Sequence, residues 1–246
     1  MEDTVVDGRT AQHRPLSLTH VVYAHEEGVV GQALAMASLL PVFIAVAMVT
    51  LAASRRDLAT FAMGVGQAGN EVLNWALRRL FRAPRPPATA LHLAPPYGMP
   101  SNHAQFMGFW AAYLGLWVAL RWQHARHPVA KATIILGLIS ITELVAYSRV
   151  RLLYHTVGQV VAGAVVGAVV GAGWYALVAV WARPAFPAIA RWRICRALLI
   201  RDTSDVGDVL QLEYDATMAA ADAAAGAGAG AAAPHSRSSR SKLHPS

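Results

Sequence analysis

Ala33 to Ala53, ALAMASLLPVFIAVAMVTLAA, runs for 21 residues without a charged side chain. A helix of about 20 apolar residues is what crosses roughly 30 Å of hydrocarbon, so this stretch sets the class. Working outward, four more runs have span length: Leu58 to Leu77, Ala104 to Leu120, Ala132 to Tyr147 and Val157 to Trp181. Of the 246 residues 55% are hydrophobic and 14% charged, with a mean hydropathy of +0.38; soluble domains carry about a quarter charged residues. The expected fold is all-α: an integral membrane helical bundle of about five transmembrane helices with a disordered C-terminal tail.

The second run is the odd one, because Gln67, Asn70, Glu71 and Asn74 interrupt it. Polar side chains at membrane depth face a bundle interior or a site. Glu71 lies seven residues before Arg78, on the same helix face. Two readings stay open for it: a polar seam between helices, or a group behind a functional site.

The net charge of +7 does not point to nucleic acid, because its placement follows topology. Arg55 and Arg56, then Arg121, Arg126 and Lys131, then Arg183, Arg191, Arg193, Arg196 and Arg201 fall on one side of a five-span chain. The positive-inside rule makes that side cytoplasmic. Arg78, Arg79, Arg82 and Arg85 break the rule by lying on the other side. Phosphate binding is a reason to keep cations there. The turn from Ser148 to His155 falls on that same side.

Along the chain, residues 1–27 form a polar lead whose apolar stretch, Leu16 to Tyr23, is expected along the membrane interface. Residues 28–182 form the transmembrane domain, 183–215 a cytoplasmic segment and 216–246 a disordered Ala/Gly- and Ser/Arg-rich tail. Met1 to Gly8 lacks the basic-then-apolar order of a cleavable signal, so the first span is expected as an uncleaved anchor. One cysteine, Cys195, allows no intramolecular disulfide. Gly163, Gly167 and Gly171 recur every four residues, which suits close helix packing inside the bundle or a dimer. Ser241-Lys242-Leu243 resembles a peroxisomal address but is followed by three residues, and is not expected to act as one. Six prolines mark a loop from about Ala83 to Pro100.

Three strings carry the chemistry: Arg78 with Arg85-Pro86, Pro100-Ser101-Asn102-His103, and Ser148-Arg149 with His155. Guanidinium forks bind phosphate oxygens in bidentate fashion. Ser101 to His103 open the third span, where free N–H groups make an anion site; simple capping by Ser101 or Asn102 is the alternative. Gln159, four residues after His155, shares its helix face and can fix its tautomer. One histidine then attacks phosphorus and the other protonates the leaving oxygen. Arg79 and Arg82 read as solvated. No metal cluster or nucleotide loop stands out, and no cofactor is expected.

In this order the strings resemble the signature of the type 2 phosphatidic acid phosphatase and haloperoxidase superfamily, with Arg78, Asn102 and Gln159 where it has Lys, Gly and Asp. Tyr147 to Thr156 with Gln159 is similar to dolichyldiphosphatases within it. So are Leu18 to Val21, Asn70-Glu71 with Asn74-Trp75, Gly98 to Ser101 with Gln105 to Met107, and Leu199 to Ser204 with Glu213-Tyr214. The resemblance spans about residues 14–217. It implies an endoplasmic reticulum enzyme with a lumen-facing site that converts dolichyl diphosphate to dolichyl monophosphate for protein N-glycosylation, without a metal. His155 would be the nucleophile and His103 the general acid. Arg78, Arg85, Ser101 and Arg149 would hold the phosphoryl oxygens, with Asn102 and Ser148 beside the substrate and Gln159 and Glu71 behind them. A glutamine cannot offset an imidazolium charge as a carboxylate does; either that help is dispensable, or Glu143 or Glu71 supplies it. The rivals are a broad lipid phosphate phosphatase and a non-catalytic membrane protein.

Overall fold

The structure is a computed structural model that describes residues 3–6, 9–16, 21–24, 28–86, 97–122, 128–207 and 209–231. It divides into two units, residues 1–205 and 206–246. The first opens with three antiparallel strands in the order β1 (Asp3–Val6), β2 (Arg9–Leu16), β3 (Val21–Ala24). Leu16 closes β2 and Val21 to Tyr23 lie in β3, paired as Leu16↔Val21 and Pro15↔Val22; residues 17–20 lie outside the described residues. Val21 and Val22 are β-branched and Tyr23 is aromatic, residue types that favour strands.

The bundle follows. The first expected span is two helices, α1 (Gly28–Ala37) and α2 (Leu40–Arg55). The break falls before Pro41, which has no N–H to continue a helix and fits the first turn of the next one. Then come α3 (Leu58–Phe81), α4 (Asn102–Leu120), α5 (Pro128–Arg151) and α6 (Val157–Leu177). A π turn (Val178–Ala182) and a 3-10 turn (Arg183–Ala185) carry α6 into α7 (Phe186–Ile189), and α8 (Arg193–Ala197) comes after. Gly28–Arg55, Pro128–Arg151 and Val157–Ile189 are long and apolar enough to cross a membrane, so the chain is a multi-pass membrane protein of the helical class expected.

Two packings place the site. Gly163, Gly167 and Gly171 face α4: a Cβ added at Gly163 would sit 2.5 Å from the Ser101 carbonyl oxygen, and one at Gly171 2.5 Å from that of Phe109. One at Gly167 would meet the Gln105 carbonyl. The glycine stripe therefore serves the bundle interior, while Val161, Val165 and Val169 on α6 are exposed. The polar residues of α3 form a seam with α4. Asn74 Nδ2 donates to Gln105 Oε1 at 2.7 Å, and Gln105 Nε2 donates to Asn70 Oδ1 at 2.9 Å. All three side chains are buried.

In the second unit, the Ala/Gly-rich stretch expected as disordered is helical through residue 231, within α9 (Val209–Ala231). Alanine has the highest helix propensity, and here it carries the helix past Gly226, Gly228 and Gly230. Residues 232–246 lie outside the described residues.

Candidate active site

Each string lies at a helix end, and the packing brings them to one cavity of about 240 Å³ lined by Arg78, Arg85, Asn102, His103, Arg149, Tyr154 and His155. The last turn of α3 supplies Arg78. Its Nε donates to the Pro100 carbonyl at 3.2 Å, which ties α3 to the start of α4. Arg82 closes α3 in the left-handed conformation, so the chain turns back before Arg85. A bridge between Pro84 and Tyr97 then returns the loop to Met99-Pro100, a cis peptide.

Ser101 is the N-cap of α4, in extended conformation and without a side-chain cap bond. Simple capping by its hydroxyl is therefore not its use. Ser101 Oγ and Arg149 Nε are buried and have no hydrogen-bond partner among the described residues, and the same holds for Asn102 Oδ1. The first two are donors in strings that converge on the cavity, which suits an anionic ligand.

Between α5 and α6, Tyr154 serves both neighbouring arginines. The Arg149 guanidinium stacks on its ring, 3.8 Å from the centroid, and Arg85 Nη1 donates to its carbonyl at 2.9 Å. Val21 of β3 and Ala35 of α1 pack with Tyr154, so the N-terminal strands support the site from behind. Sequence reasoning missed this role, since an aromatic beside a histidine carries no spacing signal.

His155 begins the turn into α6, where Thr156 and Gln159 form a capping box. His155 Nδ1 lies 3.2 Å from Gln159 Oε1, and His155 Nε2 lies 3.2 Å from Arg85 Nη1. Gln159 Nε2 donates to the Pro84 carbonyl at 2.7 Å. A carbonyl only accepts, so the amide must present its oxygen to His155. Nδ1 then carries the proton and Nε2 holds a lone pair toward the cavity. Burial, then the fields of Arg85 and Arg149, press His155 down to about 3, against the opposing bond to Gln159. Burial and then Arg78 bring Arg85 down to about 10. The imidazole is thus neutral, and a neutral imidazole is the nucleophilic form.

The other expected residues divide. Asn102 and His103 line the cavity. Glu71 accepts from the Asn102 and Gln67 side chains, the latter at 3.5 Å, and lies behind the cavity lining. Ser148 does not reach the cavity: its hydroxyl donates to the Val145 carbonyl at 2.7 Å, within its own helix. A buried helical serine satisfies itself this way. Glu143 is exposed on α5 and Glu71 turns to Asn102, so neither takes the place of Gln159 beside His155. Arg79 stacks on Trp75, 3.6 Å from the ring centroid, and Arg82 Nε donates to the Arg79 carbonyl; neither lines the cavity.

Comparison with known proteins gives the geometry its relatives. The family described as PAP2 superfamily matches residues 58–183. Dolichyldiphosphatase 1 of Homo sapiens is 40% identical over 219 residues, covering 86% of this chain and 91% of that protein. Lipid phosphate phosphatase gamma of Arabidopsis thaliana is 36% identical, with 85% and 93% covered. Among solved structures, the fold is similar to a transmembrane PAP2 type phosphatidylglycerolphosphate phosphatase from Bacillus subtilis. The TM-score is 0.54 at 19% identity, covering 68% of this chain and 81% of that one.

Proposed function

Since the chain belongs to the PAP2 superfamily, and within it to the dolichyldiphosphatase family, we propose that it hydrolyses dolichyl diphosphate to dolichyl monophosphate and phosphate through a phosphohistidine on His155. The observation that carries the reading is the oriented imidazole, with Nδ1 held by Gln159 and Nε2 turned to the cavity beside Arg85.

The terminal phosphoryl group enters among Arg78, Arg85 and Arg149, and Arg85 transfers its hydrogen bond from Nε2 to a phosphoryl oxygen. His155 Nε2 forms a bond to phosphorus as the bond from phosphorus to the bridging oxygen breaks. The negative charge of the bound diphosphate offsets the burial and the arginines that otherwise keep His103 neutral; His103 then takes up a proton and gives it to that oxygen, and dolichyl monophosphate leaves. Water then attacks the phosphohistidine, returns a proton to His103 and releases phosphate. Ser101 Oγ and the first N–H groups of α4 stabilise the charge on the equatorial oxygens. A cavity of about 240 Å³ takes the head group and leaves the isoprenoid chain to the bilayer. The arginine-rich segments at Arg55-Arg56 and Arg183–Arg201 support a non-cytoplasmic site, since they mark the opposite end as cytoplasmic; in the endoplasmic reticulum membrane, which the resemblance to dolichyldiphosphatases implies, that face is the lumen.

Phosphate release from dolichyl diphosphate, dolichyl monophosphate and phosphatidate, measured on detergent-purified protein with a chelator present, tests the reading. Chelator-resistant release confined to the diphosphate, lost in His155→Ala, is the expected result. Equal turnover of phosphatidate would favour the broad lipid phosphatase, which the likeness to lipid phosphate phosphatase gamma keeps in view. No turnover of any of the three would sink the enzymatic reading.

A further inference from the structure

We propose that Gln159 is a positioning residue that holds all three catalytic strings in register, through an amide that a carboxylate cannot replace. The inference rests on the phosphohistidine reading above. Gln159 is hydrogen-bonded to two of the strings directly and holds the third through Pro84, the residue before Arg85. Its backbone carbonyl accepts from the Ser101 N–H at 2.9 Å, which fixes the start of α4 against the start of α6. Its side-chain oxygen accepts from the Thr156 N–H and faces His155 Nδ1, both at 3.2 Å. Its side-chain NH2 donates to the Pro84 carbonyl at 2.7 Å, and the next residue is Arg85.

The consequence lies in that last bond. Orienting His155 needs only an acceptor, which a glutamate would also provide. Holding the Pro84 carbonyl needs a donor, and an ionised glutamate has none. A carboxylate in place of the Gln159 amide would set an oxygen against a carbonyl oxygen and leave the Pro84 carbonyl without the donor that ties it to α6. The loop would then swing away, carrying the guanidinium that reaches the Tyr154 carbonyl and His155 Nε2. Gly98 supports the same tie. Its N–H donates to the Ala83 carbonyl at 2.8 Å, and a Cβ there would lie 2.7 Å from Gln159 Oε1, 2.9 Å from Nε2 and 3.0 Å from Arg85 Cγ. The amide, held by three side-chain bonds, could yield to that Cβ only by breaking them.

The experiment is steady-state kinetics on dolichyl diphosphate across a pH series, using the full chain in detergent. Gln159→Glu, Gln159→Ala and Gly98→Ala are compared, each alone and in combination with Arg85→Lys. Gln159→Glu and Gly98→Ala should each lose about 10- to 100-fold in kcat/KM. Added to Arg85→Lys, each should cost little more, because both act through Arg85. The groups facing His155 are Arg85, Arg149, Arg78 and His103; a carboxylate added at position 159 favours the imidazolium and should raise the acid limb. Wild-type turnover in Gln159→Glu, with that limb raised, would overturn the proposal, since tautomer control alone would then suffice. If Gln159→Glu fails the thermal-unfolding check, Gly98→Ala decides: full activity overturns the proposal, and a loss that vanishes in the Arg85→Lys background upholds it. An inactive wild type sinks the functional reading itself, whereas an active wild type with indifferent variants sinks this inference alone.

Discussion

The two ends of α3 (24 residues, about 35 Å apart) both join helix ends through buried polar groups, but they do so differently. At the start, Asp57 is buried and satisfied on both oxygens. Oδ2 accepts from Thr60 N at 3.1 Å and from its hydroxyl at 3.3 Å, and Oδ1 accepts from Thr203 N at 3.1 Å and from its hydroxyl at 2.6 Å. Nearby, Arg56 Nη1 donates to the Leu198 carbonyl at 3.2 Å, and Arg183 pairs with Asp205 at 2.8 Å. At the other end, none of the residues lining the cavity is acidic. Arg78 and Arg85 rest on backbone carbonyls and Arg149 on a tyrosine ring, while Ser101 Oγ and Arg149 Nε have no partner among the described residues. The first end has its polar groups paired within the protein and is a clasp. The second keeps positive charge aimed at a cavity, which favours an anion and disfavours a protonated histidine.

That contrast can be broken by experiment. His155→Ala should lower kcat by about a thousandfold or more, with the unfolding midpoint unchanged and no acid-labile phosphoprotein trapped on rapid quenching. Persistent phosphorylation of this variant would remove His155 from the nucleophile role. Arg85→Gln should lower kcat/KM by about a hundredfold. It should also move the acid limb of kcat/KM upward, because one cation pressing on His155 is gone. The sign is definite: the neutral imidazole is the active form, so activity is kept above its pKa and lost below it, and raising a value of about 3 narrows the active range from the acid side. An unmoved limb would mean that another group controls it.

Asp57→Ala should do the reverse of both. Removing a cap and its two threonine partners should cost about 1–3 kcal/mol, seen as a lower unfolding midpoint in detergent, while kcat/KM of the folded fraction stays at the wild-type value. A large loss of kcat/KM would show that the two ends are coupled through α3. Arg79→Ala should have the smallest effect, within about twofold in kcat/KM, because a stack on an exposed tryptophan contributes about 0.5–1 kcal/mol and lies off the cavity lining. A tenfold loss would place Arg79 on the substrate path after all.

Much of this was legible in the sequence. The length and uncharged character of Ala33 to Ala53 marked a membrane-spanning segment, though not the break before Pro41 that divides it between α1 and α2. The glycine stripe of α6 announced a close helix contact, though not that α4 is the partner. Helix-end position, charge placement and the family resemblance together assembled Arg78, Arg85, Asn102, His103, Arg149 and His155 into one chemistry, and all six line the cavity. Ser148 shows the limit of such reading: it belongs to the right string, yet its hydroxyl is spent on its own helix. The helix of the Ala-rich stretch was underestimated because glycines were weighed above the alanines around them.

By itself the sequence determined the membrane class, the histidine pair and the cations, because apolar length, helix-end position and residue chemistry are local properties. The tertiary structure alone decided which carbonyls the arginines grip, that Tyr154 carries Arg149, and that the Gln159 amide reaches Pro84, 75 residues away in the chain. Those facts depend on where separate helices meet, and a hydrogen bond set by packing leaves no period in the sequence.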